Sequence, residues 1–133
     1  GDREQWFAAQ FGVGWSRENQ RRYDEAIEAY EKIVSRHECL TAARAQFQIG
    51  ECRFAQRRFD DAVRELLKVD ILYAYPEWKA AALFEAGRCL EELKKSDEAG
   101  GQFRRVIESH AGTRWAELAA KRLSELSAAA SGR

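Results

Sequence analysis

Apolar residues recur along this chain at intervals of three and four positions, and no segment shows the strict alternation of a β-strand. One segment carries Phe47, Ile49 and Phe54 on one helical face, and the next carries Leu66 and Val69. This spacing is typical of amphipathic helices separated by short polar connectors. It predicts seven helices, over residues 3–20, 24–37, 41–56, 60–73, 77–94, 97–110 and 113–127.

Helix starts follow three of these connectors. Asp24, Asp60 and Asp97 come directly after them, and each is predicted to cap or line a helix start, where exposed N–H groups favour a carboxylate. Pro76 falls at another predicted start, where its missing N–H costs no hydrogen bond. Connectors this short make the paired helices antiparallel neighbours.

Two landmarks recur in register and divide the chain into repeats. The pattern Ala-x-Phe-x-x-Gly ends at Gly14, Gly50 and Gly87, which are 36 and 37 residues apart. An alanine after an acidic pair follows twelve residues later, at Ala26, Ala62 and Ala99. We predict one domain over 1–133 with repeats at about 3–38, 41–75 and 76–111.

The repeat glycines need a structural reason, because a glycine inside a helix costs roughly 1 kcal/mol relative to alanine. Close helix packing supplies one. We expect the missing Cβ to let the partner helix approach, with the small alanine of the second landmark meeting the glycine. A larger side chain there should cost about 1–3 kcal/mol through overpacking.

The last predicted helix, 113–127, is expected to cap the stack, since the final hairpin otherwise leaves an apolar face in water. Its apolar stripe consists of Trp115, Leu118, Ala119, Leu123 and Leu126.

The two landmarks together resemble the tetratricopeptide repeat (TPR), over nearly the whole chain. The resemblance implies an all-α, right-handed superhelical solenoid of three helical hairpins plus a C-terminal capping helix. Units of 36 and 37 residues exceed the usual length of about 34 and resemble a longer variant in bacterial cell-envelope proteins, such as the Tol-Pal coordinator and outer-membrane assembly lipoproteins. Two departures are Ser96, in place of an aromatic residue, and the pair Gly100-Gly101.

The charge balance excludes some classes of function. Lysine plus arginine equals aspartate plus glutamate at 22 each, whereas nucleic-acid binding depends on neutralising phosphates with a basic surface. The apolar runs are far shorter than the roughly 20 residues that span a bilayer. We therefore expect a protein or peptide partner, with no nucleic acid and no membrane insertion.

The chain begins at Gly1 and contains no methionine, so we expect a fragment of a larger protein. Cys39, Cys52 and Cys89 are too few for a disulfide framework and favour a reducing compartment. The family resemblance favours the periplasm. The compartment therefore stays open between cytoplasm and periplasm.

No pattern in the chain indicates catalysis, and we predict no catalytic residue, no metal site and no cofactor. His37 and His110 lie two units apart near helix ends, where the helix dipole stabilises an imidazolium. Cys52 and Cys89 stand two residues after a repeat glycine and are expected in the core. Phosphate-binding loops, dinucleotide fingerprints and nucleophile elbows are missing from the sequence.

In this family the first helix of each hairpin lines a concave binding face. Inner-face spacing selects candidate partner-binding residues that are aromatic or charged: Phe11, Trp15, Arg44, Phe47, Glu51, Phe54, Phe84, Arg88 and Glu91. Such a face suits an amphipathic helix or an extended apolar peptide, because aromatic anchors dominate interface energetics. The repeat phenylalanines Phe11, Phe47 and Phe84 are explained equally well as packing wedges. Phe54 has no phenylalanine counterpart in the other units and is predicted to be an anchor.

Three functions remain open at this stage. The favoured one is a module that docks a peptide or partner domain in the concave groove and scaffolds a larger assembly. The second is self-association through the N-terminal edge, where Trp6 and Phe7 have no preceding hairpin to shield them. The third is a thiol or hydrolytic enzyme, which would need an activated nucleophile that the sequence does not display.

Overall fold

The computed structural model describes residues 1–36 and 39–132, and within these ranges it contains helices and no strand. The helices are α1 (Asp2–Asn19), α2 (Tyr23–Val34), α3 (Leu40–Ala55), α4 (Phe59–Leu72), α5 (Pro76–Glu92), α6 (Ser96–Ser109) and α7 (Arg114–Ser131). The predicted all-α solenoid is confirmed. The last helix continues beyond its predicted end at 127, and His37, placed in the second helix by the sequence, lies outside the described residues.

The helices form two layers, and the helices of one layer are packed against one another more closely than those of the other. Each helix packs on the next along the chain, and the first helices of the hairpins also contact one another, as α1 with α3, α3 with α5 and α5 with α7. Within the described ranges, α2, α4 and α6 make no such contacts with one another. The stack therefore curves with the first helices on the inside, and we call the surface formed by α1, α3 and α5 the inner face.

The repeat glycines lie where a neighbouring helix presses closest. A Cβ built on Gly50 or Gly87 would come within 3.0 Å of the side chain of Leu66 or Phe103, and one on Gly14 would meet Tyr30 as closely. The close approach predicted for the glycines is thus confirmed. The atoms nearest to each glycine belong to the residue four positions after the repeat alanine.

The repeat alanines are buried within the hairpins. Ala26, Ala62 and Ala99 have no exposed surface. They begin the buried face of each second helix, one turn before the large side chain that meets the glycine. Their small size lets each second helix lie flat on its partner.

The turn inside each hairpin repeats a single backbone geometry. Arg21, Arg57 and Lys94 adopt positive φ angles of 62°, 61° and 62°. In the third copy, the N–H of Lys95 donates to the carbonyl oxygen of Leu90 at 2.9 Å, which is the long bond of a Schellman motif. The predicted caps Asp24, Asp60 and Asp97 are instead the second residues of their helices, so they line the helix start.

Replacing Lys94 with glycine should stabilise the domain by about 0.5–1 kcal/mol, because a side chain raises the energy of left-handed backbone and glycine removes that cost. Urea denaturation of the variant and the wild type measures the change. Lys121→Gly is the matched control, since the same substitution within α7 should destabilise by about 1 kcal/mol. Equal losses in both variants would contradict the strain at Lys94.

The two ends of the stack differ from expectation at one residue each. Phe7 is buried, with 7% of its surface exposed, and Trp6 lies under Arg36, whose guanidinium carbon is 4.3 Å from the ring centroid. The expected exposure of Phe7 at the N-terminal edge is therefore wrong. In α7, Ala119 is buried but Leu118 is 37% exposed, because Leu118 continues the inner face one repeat beyond Ala81.

The start of α7 is capped by a side chain. The Thr113 hydroxyl accepts a hydrogen bond from the N–H of Ala116 at 3.2 Å, as expected of a threonine N-cap. Trp115, Leu123 and Leu126 are half-buried against the third hairpin. The packing of this helix agrees with its predicted capping role, apart from Leu118.

Candidate protein-docking face

The predicted partner-binding residues lie along the three helices of the inner face. Phe11 and Trp15 belong to α1, whereas Arg44, Phe47, Glu51 and Phe54 belong to α3, and Phe84, Arg88 and Glu91 belong to α5. Phe47 and Phe84 are buried, whereas Trp15, Arg44 and Arg88 are exposed. The difference separates side chains that pack between units from side chains that a partner could reach.

Phe47 and Phe84 are packed between neighbouring units. They are 9% and 6% exposed, respectively. Phe47 meets the edge of Trp78, with ring centroids 5.4 Å apart, and Phe84 lies 5.6 Å from Phe103 and 5.7 Å from Trp115. This placement favours the wedge interpretation for these two rings.

Phe11 and Arg44 lie next to each other on the inner face, on the first and second units. Phe11 is half-buried and tilted against Tyr30 at 5.3 Å. The guanidinium carbon of Arg44 lies 4.4 Å from the centroid of Phe11 and 6.0 Å from that of Trp78. Arg44 therefore lies within cation–π distance of an aromatic ring of the first unit and of one of the third unit.

Trp15 and Phe54 differ in how much surface they offer. Trp15 is 48% exposed. Phe54 is half-buried, with its ring 5.2 Å from Phe59 and the guanidinium carbon of Arg88 5.3 Å from its centroid. Phe54 has packing partners of its own, so its truncation should affect stability as well as binding.

Hydrogen bonds among three polar side chains join the first two units. The Tyr30 hydroxyl donates to Glu18 at 2.9 Å, and the Gln48 side chain donates to the same carboxylate oxygen at 2.9 Å. Burial, reinforced by the negative charge of Glu18, raises the pKa of Tyr30 far above its ordinary value. The phenol thus stays protonated and keeps its role as donor.

With the fold and the inner face described, comparison with known families decides the class of the chain. Two family models described as tetratricopeptide repeat match residues 11–77 and 81–113. The chain belongs to the tetratricopeptide repeat family. No curated protein sequence matches this TPR chain.

Several solved structures share the fold of this TPR domain. PcrH in complex with the chaperone binding region of PopD is similar at a TM-score of 0.76 and 18% identity, covering 94% of this chain and 93% of that one. The Yersinia enterocolitica type III secretion chaperone SycD, with a peptide of the translocator YopD, gives 0.68 and 17%, covering 95% and 90%. An alternative dimer of SycD gives 0.69 and 19%, covering 90% and 87%. At these identities the likeness shows a shared fold.

Two carboxyl groups of the TPR domain meet between the second and third units. Burial raises the pKa of Glu51 from 4.5 to about 8, and the charge of Glu85 and a hydrogen bond with Glu85 add to the effect. Glu51 Oε1 is buried and, among the described residues, has no hydrogen-bond partner. A proton on Glu51 removes the repulsion between the two carboxyl groups and allows Glu51 to donate a hydrogen bond to Glu85.

Arg88 and Glu91 each have a carboxylate or guanidinium partner within the TPR domain. Arg88 pairs with Glu85 at 3.3 Å. Glu91 pairs with Arg122 of α7, which links the capping helix to the inner face. These side chains are therefore held in place before any partner arrives.

Among the described residues, the three cysteines and His110 form no metal-binding group. Cys52 and Cys89 are buried and Cys39 is partly exposed, as the repeat register predicts. Burial raises the pKa of Cys89 to about 12, which is the opposite of thiol activation. Over residues 1–36 and 39–132, His, Cys, Asp and Glu side chains form no group that could hold a metal ion. None of the described helices is long and apolar enough to cross a membrane.

Sequence reasoning missed three residues of this face, namely Gln48, Trp78 and Glu85. Trp78 and Glu85 lie seven positions apart on α5, so they share a helical face with Ala81 and Arg88. That spacing was readable from the sequence. The repeat pattern selects the phenylalanine of each unit, because that residue type recurs in register, whereas Gln48, Trp78 and Glu85 are not repeated in the other units.

Proposed function

We propose that the inner face docks a segment of another protein and that the TPR domain serves as a scaffold in a larger assembly. The observation that carries the proposal is Trp15, a large aromatic side chain left 48% exposed on the inner face beside side chains already fixed by packing. Aromatic residues in such positions dominate the energetics of protein interfaces. The complexes of PcrH with PopD and of SycD with a YopD peptide support this use of the fold.

The same features argue for binding without catalysis. The inner face offers rings, guanidinium groups and hydrogen-bonded carboxyls, and both buried thiols carry raised pKa values. An enzyme needs a nucleophile activated by a neighbouring base, and we assign none here. The narrower resemblance to cell-envelope TPR proteins stays a prediction, as does the choice between cytoplasm and periplasm.

Trp15→Ala is expected to weaken binding of a docked peptide about tenfold or more, while leaving the free energy of unfolding within about 0.5 kcal/mol of the wild type. Peptides selected from a displayed random library with the wild-type domain supply the probes, and fluorescence titration gives each Kd. The matched control is Val13→Ala, which removes an exposed apolar side chain of α1 outside the inner face.

The two variants separate docking from the alternative of self-association. Val13 is 45% exposed and lines the open side of the first hairpin with Gln10 and Arg17. A SycD dimer shows that a similar fold can self-associate. If the mass of the domain rises across a concentration series in the wild type and in both variants, and Trp15→Ala leaves peptide binding unchanged, self-association through the N-terminal edge replaces docking as the function.

A further inference from the structure

Arg44 contacts aromatic rings but leaves its hydrogen-bonding groups unused. Its guanidinium carbon lies 4.4 Å from the ring centroid of Phe11 and 6.0 Å from that of Trp78, and the residue is exposed. A cation–π contact does not use the N–H donors of a guanidinium group as hydrogen-bond donors to an oxygen, so those donors stay available to an acceptor. Within residues 1–36 and 39–132, Arg44 has no hydrogen bond or ion pair.

The other arginines of this surface are different. Arg88 pairs with Glu85, and Arg122 pairs with both Glu91 and Glu125. Those guanidinium groups have their acceptors within the domain. Arg44, by contrast, has no carboxylate or other hydrogen-bond acceptor among the described residues.

The electrostatic surroundings of Arg44 favour an anion. Arg44 is the fifth residue of α3, whose first turn contains no acidic side chain, whereas α1 and α5 carry Asp2, Glu4 and Glu77 in theirs. The positive end of the α3 dipole is therefore not compensated by its own helix. The carboxyl groups of the inner face, such as Glu51 and Glu91, lie further along the helices.

We propose that Arg44 binds the carboxylate of an aspartate or glutamate side chain within the docked segment, with apolar residues on either side of that acid resting on Phe11 and Trp78. The proposal rests on the docking function and names the chemistry of its partner. An internal side chain fits better than a chain terminus, because the groups that lie near Arg44 are the aromatic rings of Phe11 and Trp78. Those rings suit a chain that continues in both directions and provide no second cation or amide for a terminal carboxylate.

The test begins with peptides selected by the wild-type domain from a displayed random library, then synthesised with acetylated and amidated ends so that no terminal charge remains. We expect Asp or Glu to be enriched next to apolar residues. Changing that acid to its amide should weaken binding about tenfold, in keeping with a charged hydrogen bond that is partly exposed to solvent. Arg44→Gln should weaken binding of the acidic peptide by a similar factor.

A double-mutant cycle decides whether the two groups contact each other. If they do, Arg44→Gln and the amide peptide together weaken binding by little more than either change alone. The control is Arg104→Gln, which removes an exposed charge from α6, away from the inner face, and should leave every Kd unchanged.

The outcomes separate this inference from the docking function. Selected peptides that bind through Trp15 but show no acid enrichment and no loss with Arg44→Gln overturn the role of Arg44 and leave docking intact. Additive losses in the cycle also overturn it. Binding that neither Trp15→Ala nor Arg44→Gln weakens overturns docking on the inner face itself.

Discussion

Replacing Gly87 with alanine is expected to lower the free energy of unfolding by about 1–3 kcal/mol. A Cβ at this position would lie 2.5, 2.8 and 2.9 Å from three ring atoms of Phe103. Phe103 is fully buried, so its ring has no free space to move into. The added methyl group must therefore push α5 and α6 apart, which separates the two helices of the third hairpin. Urea denaturation measures the loss.

Gly101→Ala is the matched control for Gly87→Ala. Gly101 lies in α6, and a Cβ there would meet nothing within 4 Å. The substitution should stabilise the domain by about 0.5–1 kcal/mol, because alanine loses less backbone freedom on folding than glycine. A loss of stability in Gly87→Ala together with a gain in Gly101→Ala would indicate close helix packing at Gly87. A gain in stability in both variants would contradict it.

Glu51→Gln should stabilise the domain at pH 8 and above by an amount on the order of 3 kcal/mol, while changing little near pH 4.5. In the folded domain Glu51 holds its proton up to about pH 8, whereas an unfolded glutamate loses it near pH 4.5. Between these values the folded state binds more protons than the unfolded state. Stability therefore falls as the pH rises from about 4.5 to about 8.

Glutamine removes this pH dependence because it is neutral at every pH and can still donate to Glu85. The measurement is the free energy of unfolding in urea at several pH values across this interval. Glu28→Gln changes an exposed acid of α2 and serves as the control, with a profile parallel to that of the wild type. A Glu51→Gln profile that also runs parallel would mean that Glu51 ionises as an ordinary surface glutamate.

The sequence was sufficient to predict the helices and the register of the repeats. Apolar spacing, the three glycines and the acidic helix starts each arise from local chemistry, and in this chain they agree with one another. The turn residues were not predictable in the same way. Arg21, Arg57 and Lys94 occupy a backbone region that glycine usually fills, and basic residues at a helix end are common for a different reason, the helix dipole.

The contacts between units could not be predicted from the repeat pattern. Glu51 and Glu85 meet although they hold different positions in their repeats, because neighbouring first helices are offset where they pack. The same offset places Arg44 between Phe11 and Trp78. A repeat alignment identifies residues in equivalent positions, but it does not show which residues face each other across the interface.

In the part of the chain that the structure describes, the first helices of the hairpins contact one another and the second helices do not, and this difference determines how the domain can deform. Within the described ranges α1, α3, α5 and α7 touch in sequence, whereas α2, α4 and α6 are separated from one another. The first helices are thus held together by direct contacts, whereas the second helices can tilt relative to one another without breaking contacts among themselves. We expect bending of the stack to change the curvature of the inner face while each hairpin stays intact, which would let that face accept segments of different thickness.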